Sequence, residues 1–70
     1  MRKKELEALG QRVKKMRKPK KLSQVDLAVA IGLSPSYIGA IEQGTRRPSL
    51  KTLKKLAKIL GVKSSDLLPF

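Results

Sequence analysis

The chain has 70 residues, with 17 Lys and Arg against 5 Asp and Glu and no His or Cys, which gives a formal net charge of +12. A chain of this length buries only about 60% of its unfolded surface, so we predict a single domain over residues 1–70. The composition excludes a disulfide framework, a Cys/His zinc site and a His-dependent triad, and the charge favours a polyanion, either nucleic acid or an anionic membrane surface.

Apolar spacing and helix-breaking residues divide the chain into five helical segments. In the first segment, Leu6, Leu9, Val13 and Met16 recur at the spacing of one helical face. Pro19 ends this segment, because the residue before a proline avoids the helical region. The four apolar residues are therefore predicted to belong to the core.

The second and third segments each begin after a serine and end at a glycine. Ser23 is predicted to cap the second helix, with Asp26 in its first turn and Gly32 at its end. Ser34 is predicted to cap the third helix, which Gly44 closes. The inner faces of these two helices are expected to consist of Leu27, Ala28, Ile31, Ile38 and Ile41.

The same punctuation predicts two further helices. Ser49 caps the fourth and Gly61 ends it, and its apolar stripe is Leu50, Leu53, Leu56, Ala57 and Leu60. Ser64 is expected to cap a last short turn. No run of β-branched residues alternates with a period of two, so the predicted fold class is all-α.

Residues 22–44, LSQVDLAVAIGLSPSYIGAIEQG, place two helices around a tight turn at Gly32, and RRPSLKTLKKLAKILGV follows. These segments resemble the Cro/CI-type (Xre) helix-turn-helix family of bacterial and phage repressors, and the resemblance covers roughly residues 9–68. It implies a compact five-helix, lambda-repressor-like DNA-binding domain. The motif would span residues 24–43, with residues 34–43 as the recognition helix in the major groove.

The resemblance also implies roles for individual residues. Base-facing positions on the recognition helix would be Ser34, which is also a cap, Pro35, Ser36, Gly39 and Ala40. Contacts with DNA phosphate would come from Gln24, which would also brace the recognition helix, and from Tyr37, Arg46 and Arg47. The clusters of basic residues add Lys51 and Arg12. Packing of a half-buried ring stays open as an alternative for Tyr37.

The base-facing positions depart from the usual pattern of the family. They include no Arg, Lys, Asn or Gln, the residue types that make bidentate contacts with guanine or adenine. DNA shape is therefore expected to contribute more of the specificity. Val25 and Val29 are apolar where relatives often carry charge, and they are expected to face solvent or a partner.

Two structural roles follow from the same resemblance. Arg17 and Glu42 match a pair that often forms a partly buried salt bridge between the first and third helices. Leu67, Leu68 and Phe70 either cover the core of their own chain or form a two-fold dimer contact.

We therefore expect a sequence-specific transcription regulator of double-stranded DNA, repressor-like or similar to restriction–modification controller proteins. It would bind an inverted repeat as a homodimer, in the cytoplasm at the nucleoid. No enzyme activity, metal or cofactor is expected, because the chain offers no nucleophile–base pair, metal-ligand cluster or Gly-rich phosphate loop. The alternative is a protein-interaction adaptor or an antitoxin on the same fold. A membrane partner is not expected, because the apolar stripe of the basic segment SLKTLKKLAKIL is needed by the core.

Overall fold

Five α-helices build the fold in a computed structural model that describes residues 1–69. They are α1 (Lys3–Arg17), α2 (Gln24–Ile31), α3 (Pro35–Gln43), α4 (Leu50–Leu60) and α5 (Ser64–Leu67), with a short 3₁₀ turn at Lys18–Lys20. The described residues contain no strand, so the predicted all-α fold is confirmed. No single helix among them is long and apolar enough to cross a membrane; α2 and α3 reach that length and composition only together, across a sharp bend.

Side-chain caps begin three of the helices as predicted. The Ser34 hydroxyl accepts a hydrogen bond from the Tyr37 N–H at 3.2 Å, and the Ser49 hydroxyl accepts one from the Thr52 N–H at 3.1 Å. Ser23 caps α2 in the same way. These bonds satisfy N–H groups that have no partner inside the helix.

The prediction that Ser64 caps the last helix is wrong. Ser64 is the first helical residue of α5, and Lys63 holds the extended backbone of the N-cap. Here a side chain inside the helix bonds to the backbone of the N-cap residue: the Asp66 carboxylate accepts a hydrogen bond from the Lys63 N–H at 2.9 Å. A carboxylate three residues into the helix can satisfy this group, so no capping hydroxyl is needed.

Asp26 and Ser23 form a reciprocal capping box at the start of α2. The Ser23 N–H donates to the Asp26 carboxylate at 2.9 Å, and the Asp26 N–H donates to the Ser23 hydroxyl at 2.9 Å. The bond from the Ser23 backbone and then the contact with its side chain lower the pKa of Asp26.

This capping box predicts a pH dependence with a defined sign. The contribution of ionised Asp26 to stability is present above its ordinary pKa of about 4 and is lost as the pH falls through the lower pKa of the folded state. An NMR titration of the Asp26 carboxyl carbon should show the lowered pKa, and Ser23→Ala should move it toward the ordinary value. A titration that Ser23→Ala leaves unchanged would contradict this explanation.

Twelve apolar side chains form one core shared by all five helices: Leu9, Val13, Leu27, Ala28, Ile31, Ile38, Ile41, Leu53, Leu56, Ala57, Leu60 and Leu67. Two residues predicted in the core, and one residue of the predicted apolar stripe of α4, are not fully buried. Leu6 and Met16 are only half-buried, because they flank the buried middle of α1. Leu50 is 65% exposed, because it is the first residue of α4 and no neighbouring helix covers its side chain.

Lys21 adopts a left-handed backbone conformation, with a φ of 58°, and is the one non-glycine residue between 1 and 69 with a positive φ. An L-residue in this region costs about 1–2 kcal/mol, and glycine avoids the clash. Glycine also gives the unfolded chain more conformational freedom, which offsets part of this gain. Lys21→Gly should therefore raise the free energy of unfolding by about 1 kcal/mol.

Denaturant unfolding of Lys21→Gly measures this gain. The matched control is Lys20→Gly, which removes the same charge from the adjacent residue in the 3₁₀ turn and should destabilise the protein. Equal effects of the two variants would show that charge, and not backbone conformation, governs the response at Lys21.

Backbone contact between α1 and α3 fixes the position of α3. A Cβ atom placed on Gly10 would lie 2.3 Å from the carbonyl oxygen of Ile41 and 2.5 Å from that of Glu42. Only glycine permits so close an approach. Gly44, with a φ of 78°, then ends α3 beside the backbone of Glu7, which lies 2.7 Å from the position of a Cβ atom. The contacts at Gly10 and Gly44 together hold α3 against α1. The face of α3 that points away from α1 is left outward.

Candidate nucleic-acid interface

The helices α2 and α3 form a helix-turn-helix unit. Residues 32–34 join them, and the chain direction changes by 112° between the two helices. Helix-turn-helix pairs join through three or four residues at about 90–120°. Leu27, Ala28 and Ile31 anchor α2 in the core, and Ile38 and Ile41 anchor α3. The second helix can therefore be presented as a rigid body.

The five predicted base-facing residues lie together on the first two turns of α3 and at its cap. Ser34, Pro35 and Ser36 are exposed, while Gly39 and Ala40 are half-buried. The hydroxyl oxygens of Ser34 and Ser36 are 3.3 Å apart. This surface offers two hydroxyls, a proline ring and an alanine methyl, so it can hydrogen-bond a base edge and contact a thymine methyl.

A groove of about 500 Å³ lies beside the N-terminus of α3. Its lining consists of Leu33, Ser34, Ser36, Tyr37, Ala40, Arg46 and Thr52. The guanidinium carbon of Arg46 lies 5.4 Å from the centre of the Tyr37 ring, a cation–π distance. The Tyr37 ring is half-buried against the core, which agrees with the packing alternative, and its phosphate contact stays a prediction. The ring also holds Arg46 at the rim of the groove.

One basic residue, Arg46, lines this groove, and two more are close to it in the sequence. Arg46 and Arg47 lie in the loop between α3 and α4, and Lys51 lies in the first turn of α4; all three are exposed. The N-termini of α3 and α4 add the positive ends of two helix dipoles. Thr52, which the sequence reasoning left out, lines the groove as well. The one available signal for Thr52 was its place in the turn that begins with the capping residue Ser49.

A buried ion pair lies behind this surface. Arg17 Nε donates to Glu42 Oε2 at 2.7 Å, and a second Arg17 nitrogen donates to Glu42 Oε1 at 3.1 Å. Arg17 is 8% exposed and Glu42 is 7% exposed. The bond to Glu42 raises the pKa of Arg17 although burial opposes this shift. Arg17 also donates to the Leu22 carbonyl at 2.6 Å, so the pair links the end of α1 to α3 and to the residues before α2.

Gln24 is the third member of this network, and the contact agrees with the predicted role of Gln24 in bracing the recognition helix, although the sequence did not indicate Glu42 as its partner. Its Nε2 donates to Glu42 Oε1 at 3.0 Å. Its Oε1 lies 3.5 Å from the position that a Cβ atom on Gly39 would occupy. The Gln24 amide is thus held between α2 and α3, and a small residue at position 39 leaves room for it.

Arg12, which was assigned to DNA phosphate, is exposed and makes contacts within its own chain, so its phosphate contact stays a prediction. One guanidinium nitrogen of Arg12 donates to the carbonyl oxygen of Leu68, and also lies 3.4 Å from that of Asp66. Arg12 therefore binds the chain at the end of α5. Its place among many basic residues was the only basis for the prediction, and charge density does not report which way a side chain points.

The three candidates for a dimer contact differ in accessibility. Leu67 is fully buried in the core of its own chain, which corrects its assignment and supports the alternative of a core residue. Leu68 is half-buried and packs against the core. Phe70 lies outside the described residues.

The chain is similar to known proteins over most of its length. Residues 13–67 match the family model described as Helix-turn-helix. The restriction–modification controller protein C.AhdI from Aeromonas hydrophila superposes with a TM-score of 0.85 and 41% identity, over 90% of this chain and 96% of that chain. The similarity therefore covers nearly all of a solved controller protein.

Curated relatives point the same way. The chain is 45% identical over 62 residues to the control protein C.BamHI of Bacillus amyloliquefaciens, covering 87% of this chain and 76% of the relative. It is 46% identical over 59 residues to the immunity repressor protein of Bacillus phage phi105, covering 84% of this chain but only 41% of that relative. The chain therefore belongs to the helix-turn-helix family of DNA-binding transcription regulators, in its Cro/CI (Xre) branch.

Proposed function

We propose that the chain regulates transcription by binding a specific double-stranded DNA sequence with α3 in the major groove, as a homodimer on an inverted repeat. The observation that supports this most directly is the outward face of α3. Its small exposed residues line a groove together with the cation Arg46. Its inner face is fixed by the contact at Gly10 and by the ion pair of Arg17 and Glu42. The names of the relatives, a repressor and controller proteins, agree with this role.

Phosphate contacts would set the position of α3 on the duplex. Arg46 is held against Tyr37, so less side-chain entropy is lost when it binds a phosphate. Arg47 and Lys51 would neutralise phosphates along the same strand. Gln24 lies at the positive N-terminus of α2, and its bond to Glu42 holds the amide next to α3. These contacts would fix the register without reading sequence.

Base contacts would be few and close. The hydroxyls of Ser34 and Ser36 would bond base edges, and the Ala40 methyl would touch a thymine methyl. Pro35 and Gly39 carry no long side chain, so the backbone of α3 can approach the floor of the groove. Sequence-dependent DNA shape would supply the rest of the specificity.

Dimerisation would place two α3 helices in successive major grooves, about 34 Å apart. Among the predicted contacts, the half-buried Leu68 is the described residue that keeps accessible surface, so we place the interface at the end of α5. Such a regulator would act in the cytoplasm, at the nucleoid.

Selection of bound duplexes from a random DNA pool at physiological salt tests this function. We expect an enriched inverted repeat whose half-sites lie about one helical turn apart. With six to ten phosphate contacts, the affinity should fall about 10³–10⁵-fold between 50 and 200 mM salt. Recovery of DNA without an enriched motif, or an affinity that is flat across this salt range, would refute the proposal.

Arg46 should be the most sensitive single phosphate contact, because Tyr37 orients it. Arg46→Gln is expected to lower the affinity for the selected operator about tenfold and to reduce the slope of log affinity against log salt by about 1. Fluorescence anisotropy at several salt concentrations measures both quantities. The matched control is Arg2→Gln, which removes the same charge from an exposed position before α1. An equal loss in both variants would mean that Arg46 acts only through net charge.

A further inference from the structure

The outward face of α2 is apolar and uncovered. Only Gln24 and Asp26 are polar in the sequence of this helix, QVDLAVAI. A helix that is apolar on all sides is normally buried on all sides. Yet Val25 is 54% exposed and Val29 is 74% exposed, one helical turn apart on the same face. DNA binding through α3 makes no use of these two side chains.

A second groove runs from this face toward α4. It has a volume of about 480 Å³ and is lined by Val29, Ala30, Ile31, Gly32, Lys55, Lys58 and Ile59. Its floor is aliphatic, and Lys55 and Lys58 stand exposed at its α4 side. Within residues 1–69, no carboxylate pairs with either lysine. The groove thus combines apolar surface with two uncompensated positive charges.

This combination selects one kind of occupant. DNA would satisfy the lysines but would leave the valines against phosphate and sugar, and this groove shares no lining residue with the groove beside α3. A second copy of the chain seated symmetrically on this groove would bring Lys55 and Lys58 of both copies together, which repels. An apolar segment with carboxylates along its edge complements both features.

We propose that the groove between α2 and α4 docks a short amphipathic helix of a partner protein. Its apolar side would cover Val25 and Val29, and its Asp or Glu side chains would pair with Lys55 and Lys58. Helices commonly bind in this way, with apolar residues spaced by three or four positions as anchors. The proposal does not depend on the proposed function, because DNA binding and helix docking use different faces of the molecule.

Selection from a displayed library of random 16-residue peptides, at physiological salt, tests the proposal with the intact chain as bait. We expect enriched peptides with apolar residues at helical spacing and Asp or Glu beside them. Amide chemical shifts of the bait on titration with an enriched peptide should change at Val29, Lys58 and Ile59. No enriched pattern, enriched peptides without acidic residues, or shifts centred on α3 would overturn the proposal.

Two matched substitutions separate docking from general charge attraction. Val29→Gln introduces a better helix former, so α2 should stay intact. It should weaken peptide binding at least tenfold while leaving operator affinity unchanged. Lys58→Gln should weaken peptide binding about fivefold, and Lys54→Gln, which removes the same charge outside the groove, should have less than a twofold effect. Equal effects of the two lysine variants would overturn the proposal. So would a change of oligomeric state in Val29→Gln, which would identify the groove as the contact between two copies.

Discussion

Replacing Gly10 with alanine is expected to lower the free energy of unfolding by about 3 kcal/mol, the upper range for overpacking a core. The added methyl group would lie 2.3 Å from the Ile41 carbonyl oxygen and 2.5 Å from that of Glu42. Both atoms belong to the backbone of α3, so no side-chain rotation relieves the clash, and α1 and α3 must separate. The net stability of a small domain is about 5 kcal/mol or somewhat more, so this variant should keep only about 2 kcal/mol and unfold at a much lower denaturant concentration than the wild type. Guanidinium unfolding followed by circular dichroism measures the change.

Gly39 supplies the matched control, because it is also a glycine inside a helix. A Cβ atom there would lie 3.5 Å from the Gln24 side chain, an ordinary contact. Gly39→Ala should therefore stabilise the protein by about 0.5–1 kcal/mol, as alanine does in place of glycine within a helix. If Gly10→Ala were as stable as Gly39→Ala, the backbone contact between α1 and α3 would not exist in solution.

Local signals explain why the helices could be predicted. Ser23, Ser34 and Ser49 satisfy N–H groups within three residues of themselves, so their effect can be read from a few letters of sequence. Apolar residues at helical spacing report the buried face in the same local way. The prediction that Ser64 caps the last helix was wrong because Lys63 and Asp66 form the capping bond. A residue type alone does not fix the backbone conformation of the N-cap.

Contacts between distant residues could not be predicted in this way. Gly10 has no turn to mark it, and its role depends on the carbonyl groups of residues 41 and 42. Arg12 contacts residues 54 and 56 positions away, and no local pattern indicates that contact. Leu67 stands in a short tail where core packing and dimer contact predict the same apolar residue. Deciding between them requires the packing of the whole chain.

The candidate site shows the same difference between what local sequence predicts and what contacts between distant residues determine. The resemblance to a family could name the residues of α3, because they occupy fixed places relative to Gly32. It did not show that the Tyr37 ring lies against Arg46 or that Gln24 bonds to Glu42. These two contacts determine how the proposed phosphate-binding groups are held, and both join separate segments of the chain.

The buried pair of Arg17 and Glu42 predicts a large and non-additive response to substitution. Arg17→Met leaves the Glu42 carboxylate buried without its cation, which should cost about 3–5 kcal/mol of unfolding free energy. Glu42→Leu leaves Arg17 unpaired and should cost a similar amount. The double variant replaces both charges with apolar side chains, so it should lose far less than the two single variants together. Chemical denaturation of the four proteins measures the coupling.

Operator affinity of the double variant distinguishes two roles of the ion pair, which are stabilising the fold and orienting Gln24. Even if folding is restored, Gln24 loses the Glu42 oxygen that accepts its amide N–H at 3.0 Å. We therefore expect the double variant to bind the operator about tenfold more weakly than the wild type. A tenfold change is about 1.4 kcal/mol, close to the lower end of the ~1.5–3 kcal/mol that a hydrogen bond to a charged group contributes. Gln24→Ala should then have little further effect in that background, although it weakens binding in the wild type. Full operator affinity in a folded double variant would show that the network supports the fold alone and does not orient Gln24 toward DNA.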